Sequence, residues 1–143
     1  MIALLTLLLL WVFPTIDSYS TQVGARLRRG TLGKNTPVGA GVTANQDALV
    51  GEYDILTVDA DLTATAAGDL AIQVFPYGPD GTTLLTTPLP AVTGVGFAPT
   101  LSGGHSTATQ QYNVQGLDKV NVQIKNNNAA TQTLNASWRV ADF

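Results

Sequence analysis

The sequence predicts an all-β protein: an antiparallel β-sandwich of six to eight strands, with jelly-roll or immunoglobulin-like topology and an extended N-terminal arm. After residue 48, apolar residues alternate with polar ones in several segments, and turn-forming residues separate these segments about every eight to twelve positions. Only 12% of the 143 residues are charged, and Thr, Asn, Gln, Ala and Gly replace the missing charges. Short neutral polar side chains suit β-structure and surfaces that contact other proteins.

The chain divides into three segments by composition. Residues 1–14 are apolar, residues 15–47 form a basic arm or linker rich in Gly and Thr, and residues 48–143 form the β-sandwich domain. Residues 18–46 carry four bases and no acid, whereas residues 47–143 carry nine acids and three bases. Because glycine and proline disfavour regular elements, we expect the basic segment to be extended.

Period-two alternation indicates the strands of the sandwich domain. One such strand is predicted by "HSTATQQYNV". The segments "DKVNVQIKN" and "QTLNASWRV" predict a hairpin around the turn "NNNAAT". Pro79-Asp80-Gly81 predicts a turn into a strand over 82–87, and residues 88–104 predict a long loop that can include one irregular strand. The residues expected to face the core are Leu56, Val58, Ala60 and Leu62; Leu70, Ile72 and Val74; Val120, Val122 and Ile124; and Leu134, Ala136, Trp138 and Val140.

The N-terminal stretch "MIALLTLLLLWVFP" has three interpretations. It resembles a secretion signal cleaved after Ser20, but no base precedes Ile2 and a basic cluster follows the apolar run. Residues 2–13 are too few to cross a hydrocarbon core of about 30 Å, although they could contact a membrane. We favour an arm that packs on a neighbouring subunit, and leave open whether residues 1–20 are cleaved.

Subunit contacts are expected from the apolar N-terminal residues, from the bases that follow them and from one aromatic residue of the long loop. Apolar side chains supply the contact area, and arginines can bind an acidic neighbour. The predicted contact residues are Leu4, Leu5, Leu8, Leu9, Trp11, Phe13, Arg26, Arg28, Arg29 and Phe97.

No residue pattern predicts catalysis, a metal site or a cofactor. The chain has no cysteine and a single histidine, His105, which excludes thiolate sites and a His-rich metal cage. Asp59 and Asp61 are expected on a solvated strand face rather than in a calcium site or a glycosidase pair. The net charge of −3 gives no global attraction to nucleic acid, so no specific nucleic-acid binding is expected.

The stretches "LTATAAGDLAIQVFPYGPDGTT" and "YNVQGLDKVNVQIKNNNAATQTLNASWRV" resemble small β-sandwich structural proteins of tailed bacteriophages. These families include head decoration, minor capsid and tail-associated proteins. The resemblance covers residues 48–143 and is carried by composition and strand pattern. It implies a non-enzymatic virion component that forms homo-oligomers and contacts a major capsid protein or another virion protein, without catalytic residues or cofactors.

The alternative interpretation is a secreted or cell-surface β-sandwich binding module. Such a protein would lose its signal after Ser20 and would recognise a carbohydrate or a cell-surface ligand. Tyr77, Phe97 and the nearby loops would form its site, because exposed aromatic rings can stack on sugars or fill a pocket of another protein.

Overall fold

The computed structural model describes residues 28–92 and 98–142, which form two antiparallel β-sheets packed face to face. The larger sheet has the strand order β1-β8-β3-β6-β5, and the smaller has the order β2-β7-β4. The predicted β-sandwich is therefore confirmed. The strands are β1 (Arg28–Val38), β2 (Thr43–Leu49), β3 (Ile55–Thr63), β4 (Leu70–Pro76), β5 (Thr100–Ser102), β6 (His105–Asn113), β7 (Lys119–Asn126) and β8 (Gln132–Ala141).

The strand pairing is that of a jelly roll. β1 pairs with β8, β2 with β7 and β3 with β6, as in a two-stranded ribbon rolled around a barrel. Residues 84–89 continue the ribbon beside β4 without forming a regular strand. They lie next to β4 through hydrogen bonds from the Leu85 N–H to the Pro76 carbonyl and from the Leu89 N–H to the Val74 carbonyl.

The core lies between the two sheets and contains the side chains that the alternation predicts. Every predicted inward residue of β3, β4, β7 and β8 is buried. Full burial of one such Val, Leu or Ile side chain contributes about 1.5–3 kcal/mol. Burial of these alternating side chains therefore holds the two sheets together.

The predicted hairpin of "DKVNVQIKN" and "QTLNASWRV" is wrong, because β7 and β8 belong to different sheets. β7 pairs with β2 and β4, whereas β8 pairs with β1 and β3. Alternation identifies the inward face of a strand but leaves its partner undetermined. The turn at Pro79–Gly81 forms, but the expected strand over 82–87 is reduced to one bridge between Tyr77 and Leu84.

The boundary of the sandwich also differs from the prediction. Residues 28–47, assigned to a basic arm, instead form β1 and most of β2. β1 is an edge strand with two register shifts, so it accommodates the glycines and the proline that suggested a linker. The remaining part of the predicted arm, 15–27, and the apolar segment 1–14 lie outside the described residues.

The indole ring of Trp138 closes the side of the sandwich formed by β1 and β2. Trp138 on β8 is the register partner of Gly30 on β1, and a Cβ atom at residue 30 would overlap Cε2 and Nε1 of the indole. The indole N–H donates a hydrogen bond of 2.7 Å to Oε1 of Gln46 on β2. One side chain thereby connects three strands in two sheets, and only glycine leaves room for it.

Asparagine side chains of the β7–β8 turn connect the loops at one end of the sandwich. Asn126 is fully buried, and its amide donates to the carbonyls of Val38 and Ala130 over 2.9 Å each. The Asn128 amide donates to Oδ2 of Asp69 over 2.8 Å. The β1–β2, β3–β4 and β7–β8 connections are thus joined by hydrogen bonds to asparagine.

The carboxylate of Asp69 receives several hydrogen bonds at this end. The Asn128 amide and the backbone N–H groups of Ala66 and Thr65 all donate to it and lower the pKa of Asp69 to about 2. These bonds favour the ionised carboxylate, so they stabilise the folded protein most where Asp69 is charged.

We predict that Gly30→Ala destabilises the protein by about 1–3 kcal/mol, because the added methyl group forces the Trp138 indole out of its position. Urea-induced unfolding followed by tryptophan fluorescence measures the change. Gly68→Ala is the matched control, since a Cβ atom there meets nothing within 4 Å. Equal stability of the two variants would contradict the proposed packing.

We predict that Asp69 contributes to acid sensitivity. Its folded-state pKa is depressed, so its stabilising contribution is present above about pH 4 and is lost as the pH falls towards about 2. Thermal unfolding of wild type between pH 5 and pH 2 should therefore show a steeper loss of Tm than Asp69→Asn. Asp118→Asn, which neutralises an exposed carboxylate elsewhere, should retain the wild-type slope. If Tm fell equally steeply with pH in wild type and in Asp69→Asn, Asp69 would not contribute to the acid sensitivity.

Candidate binding groove and contact surfaces

The outer face of the five-stranded sheet carries short polar side chains in two transverse rows. They alternate with core residues along β3, β6 and β8, so they point away from the core. The first row consists of Thr31, Ser137, Asp59 and Thr109. The second row consists of Asn135, Asp61, Thr107 and Thr100.

These two rows line an open groove of about 510 Å³. The backbone at Ala60, Ala108 and Ala136 forms its floor, and Lys34 of β1 lies at one side. Hydroxyl, amide and carboxylate groups give the groove its hydrogen-bonding atoms, and carbon atoms make up the larger share of its accessible lining. It can therefore hold a neutral polar group or the polar side chains of another protein.

Both carboxylates in the groove already have partners. Asp59 pairs with Arg139 and accepts a hydrogen bond of 2.7 Å from the Thr109 hydroxyl. Asp61 lies 2.8 Å from Nδ1 of His105. Asp59 and Asp61 thus lie on the outer strand face, as predicted, and each already has a side-chain partner.

The outer face of the three-stranded sheet carries a cluster centred on Asp47. The Tyr77 hydroxyl and the Asn121 amide both donate to Oδ1 of Asp47, over 2.7 and 2.8 Å. The Lys119 ammonium lies 3.9 Å from Oδ2 of Asp47 and 4.1 Å from the centroid of the Tyr77 ring. This cation–π contact partly covers a ring that the alternative interpretation assigned to ligand binding.

The protonation equilibria of this cluster are coupled. Desolvation pulls the pKa of Asp47 upward, but the hydrogen bonds from Asn121 and Tyr77 and the charge of Lys119 outweigh it, so the pKa is lowered. The hydrogen bond to the Asp47 carboxylate raises the pKa of Tyr77 in turn. Tyr77 therefore remains a hydrogen-bond donor at neutral pH and fixes the position of Asp47.

Exposed apolar side chains lie at strand ends, in the connections and on the short strand β5. The large ones retain between 36% and 54% of their accessible surface: Val42, Leu49, Leu84, Leu85, Val92 and Leu101. Tyr77, Pro79, Leu85 and Leu117 contribute to a second cavity of about 310 Å³. This cavity lies at the end of the sandwich where β1 begins and β2 and β4 finish.

Arg28 and Arg29 are the predicted contact residues that the structure describes. Both are exposed at the start of β1, opposite Val140 and Arg139 of β8. They are thus available for a contact, although they belong to the sandwich rather than to an arm. The other predicted contact residues lie outside the described residues: Leu4, Leu5, Leu8, Leu9, Trp11, Phe13, Arg26 and Phe97.

The groove and the Asp47 cluster were both missed by the sequence interpretation. Asp59 and Arg139 are 80 positions apart, and Asp47 and Asn121 are 74 positions apart. The only signal for the groove and the Asp47 cluster in the sequence was the set of polar residues in each alternating pattern. It shows that these side chains share an outer face without showing which strands are neighbours.

Within residues 28–92 and 98–142, no group of three or more His, Asp or Glu side chains could hold a metal ion. No helix in the same part of the chain has the length and apolar character needed to cross a membrane.

We predict that Asp47→Asn lowers the pKa of the Tyr77 hydroxyl, because the negatively charged acceptor that favours the protonated phenol is removed. NMR titration of tyrosines labelled at Cζ measures each hydroxyl separately. Tyr112, whose pKa burial raises to about 12, provides an internal reference that should not move. Asp118→Asn is the control variant, and an unchanged Tyr77 titration in Asp47→Asn would exclude the coupling.

No protein-family model and no curated protein sequence matches the chain. Several solved structures resemble its fold at low identity. The SPBc2 prophage-derived protein YomS is 14% identical, with 80% of this chain and 91% of that chain covered and a TM-score of 0.46. The structure of infectious bursal disease virus, Gt strain, is 19% identical, with 80% and 31% covered and a TM-score of 0.47. A non-crystalline cellulose specific carbohydrate-binding module, CBM28, is 12% identical, with 79% and 78% covered and a TM-score of 0.40. The likeness to these proteins is a likeness of β-fold.

Proposed function

We propose that the protein is a non-enzymatic structural component of a virion: a capsid decoration, minor capsid or tail-associated protein. It acts through contacts with copies of itself and with a major capsid protein or another virion protein. The observation that carries this proposal is the surface of the jelly roll. Short neutral side chains are abundant on its outer faces, where Asp59 is paired with Arg139, and exposed apolar side chains lie at strand ends, in connections and on β5.

This distribution of side chains suits a protein that is held between other proteins. The cores of protein–protein interfaces are depleted in charged residues, because an unpaired charge is costly to remove from water. Asp59 is paired with Arg139 and Asp61 lies within hydrogen-bond distance of His105, so contact with the five-stranded sheet would bury carboxylates that already have partners. Leu49 and Leu85 could add apolar contact area near the end of the sandwich.

The proposal also assigns the segment before β1 to subunit contacts. β1 begins at Arg28, at the same end of the sandwich as the cavity beside Leu85 and Leu117. Residues 2–13 would supply apolar side chains to a neighbouring subunit, and Arg28 and Arg29 would bind its acidic groups. In this arrangement the neighbouring subunit would bury apolar side chains that a monomer would leave exposed to water.

The groove favours a second function, a secreted module that binds carbohydrate. Its Thr, Ser, Asn and Asp side chains could exchange hydrogen bonds with sugar hydroxyls. However, none of the described aromatic residues lines the groove, and Tyr77 lies on the other sheet with Lys119 over its ring. A site without an aromatic platform would rely on polar contacts that compete with water. We therefore rank this function second.

We predict that the native protein retains residues 1–20, self-associates and occurs in purified virus particles. Intact-mass spectrometry of native material, identification of copurifying proteins and sedimentation velocity of the full chain measure these properties. A variant lacking residues 1–14 should self-associate more weakly, because it lacks the apolar contact residues. A monomer at every concentration, together with retention on a glycan array that Asp59→Ala removes, would instead establish the binding module.

A further inference from the structure

We infer that the free edge of β2 pairs with β2 of a second copy and joins the two three-stranded sheets into one continuous sheet across a twofold axis. This inference rests on the proposed function, since it names the surface through which copies contact one another.

Three of the four sheet edges carry features that oppose such pairing. Bulges, prolines, charges, short strands and covering segments all protect edges from other chains. β1 contains two register shifts together with Lys34 and Pro37. β5 has only three residues. β4 ends at Pro76, and residues 84–89 lie along it through backbone hydrogen bonds.

The edge of β2 carries one charged residue, Asp47, which Tyr77, Asn121 and Lys119 already contact, and it has none of the other protecting features. Its seven residues pair with β7 without a register shift and include no proline, glycine, lysine or arginine. Within residues 28–92 and 98–142, no other strand pairs with β2. β2 therefore presents a straight row of backbone donors and acceptors.

The hydrogen bonds to β7 show which backbone groups belong to that row. The Val50 N–H donates to the Asp118 carbonyl, and the Asn126 N–H donates to the Val42 carbonyl. In an antiparallel pair such bonds recur at every second residue, so the even-numbered residues of β2 face β7. The N–H and C=O groups that point to the free edge are those of Thr43, Asn45, Asp47 and Leu49.

The β2 sequence complements itself about a twofold axis at Gln46. Asn45 then lies opposite Asp47 of the second copy, and Thr43 lies opposite its Leu49, so each free backbone group gains a partner. Like charges directly opposite one another would destabilise the pair, and this register places none in that position. At each end of the ribbon the side chain of Leu49, which is 54% exposed in the single chain, lies beside Thr43 of the second copy.

The rest of the sandwich fixes the central residues of β2 before any partner binds. Gln46 accepts the hydrogen bond of the Trp138 indole, and Asp47 accepts those of Tyr77 and Asn121. A preformed edge loses little conformational entropy on pairing, so more of the contact energy remains as affinity.

Disulfide trapping tests both the surface and its register. The chain has no cysteine, so variants of the full chain with one cysteine each form unambiguous cross-links. In the proposed register, residues 45 and 47 of opposite copies form a pair with Cα atoms about 5.5 Å apart, within the disulfide range of about 4.4–6.8 Å. An oxidised mixture of Asn45→Cys and Asp47→Cys should therefore form a cross-linked heterodimer. Gln73→Cys is the control, since it lies on β4 of the same outer face.

Sedimentation equilibrium of the full chain tests the energetics. Asn45→Asp places a carboxylate opposite Asp47 of the second copy at two symmetry-related positions, and we expect the dimer Kd to rise about two- to thirtyfold. Asn45→Pro removes a donor at the free edge while leaving the bonds to β7 intact, so it should also weaken the dimer. Gln73→Asp adds the same charge elsewhere on the sheet and should leave Kd unchanged. Circular dichroism verifies that each variant folds.

The outcomes separate this inference from the proposed function. A 45–47 cross-link together with a raised Kd in Asn45→Asp supports the β2 pairing. Self-association of wild type with equal cross-linking of Gln73→Cys, or with an unchanged Kd in Asn45→Asp, overturns the pairing and leaves the proposed function standing. A wild-type monomer at all concentrations overturns both the pairing and the proposed self-association.

Discussion

The closure of this jelly roll between β1 and β2 depends on the contacts of the Trp138 indole. Its ring lies against Gly30 of β1, and its N–H donates to Gln46 of β2. β1 and β2 follow one another in the chain but lie at the same side of different sheets, so the sandwich must be closed between them. A large side chain with one polar atom can fill that gap and satisfy the polar group opposite.

The position of β2 links the core to the surface. Its inward residue Gln46 is held by Trp138, and its outward residue Asp47 is held by Tyr77 and Asn121. These contacts stiffen a strand whose other edge has no partner among the described residues. A protein that functions by assembly needs such a surface to be fixed before its partner arrives.

The two ends of the sandwich differ in chemistry. The end at the β7–β8 turn is joined by buried and charge-assisted hydrogen bonds from Asn126 and Asn128. The opposite end, where β1 begins, contains a cavity lined by both apolar and charged residues, and exposed leucines such as Leu85. Both ends nevertheless carry stabilising contacts and exposed apolar residues, since the Trp138 and Asp47 contacts lie towards the end where β1 begins and Val42 is exposed near the β7–β8 turn.

The sequence by itself determined the fold class and the inward residues of four strands, because alternate side chains of a strand point to opposite sides whatever its neighbours are. It left strand partners undetermined, so β7 and β8 were wrongly paired and residues 28–47 were mistaken for an arm. Only the tertiary structure decided that Asp59 meets Arg139 and that Asp47 meets Tyr77 and Asn121. The physical reason is that strand register, set by packing across the whole sandwich, brings together residues that are distant in the chain.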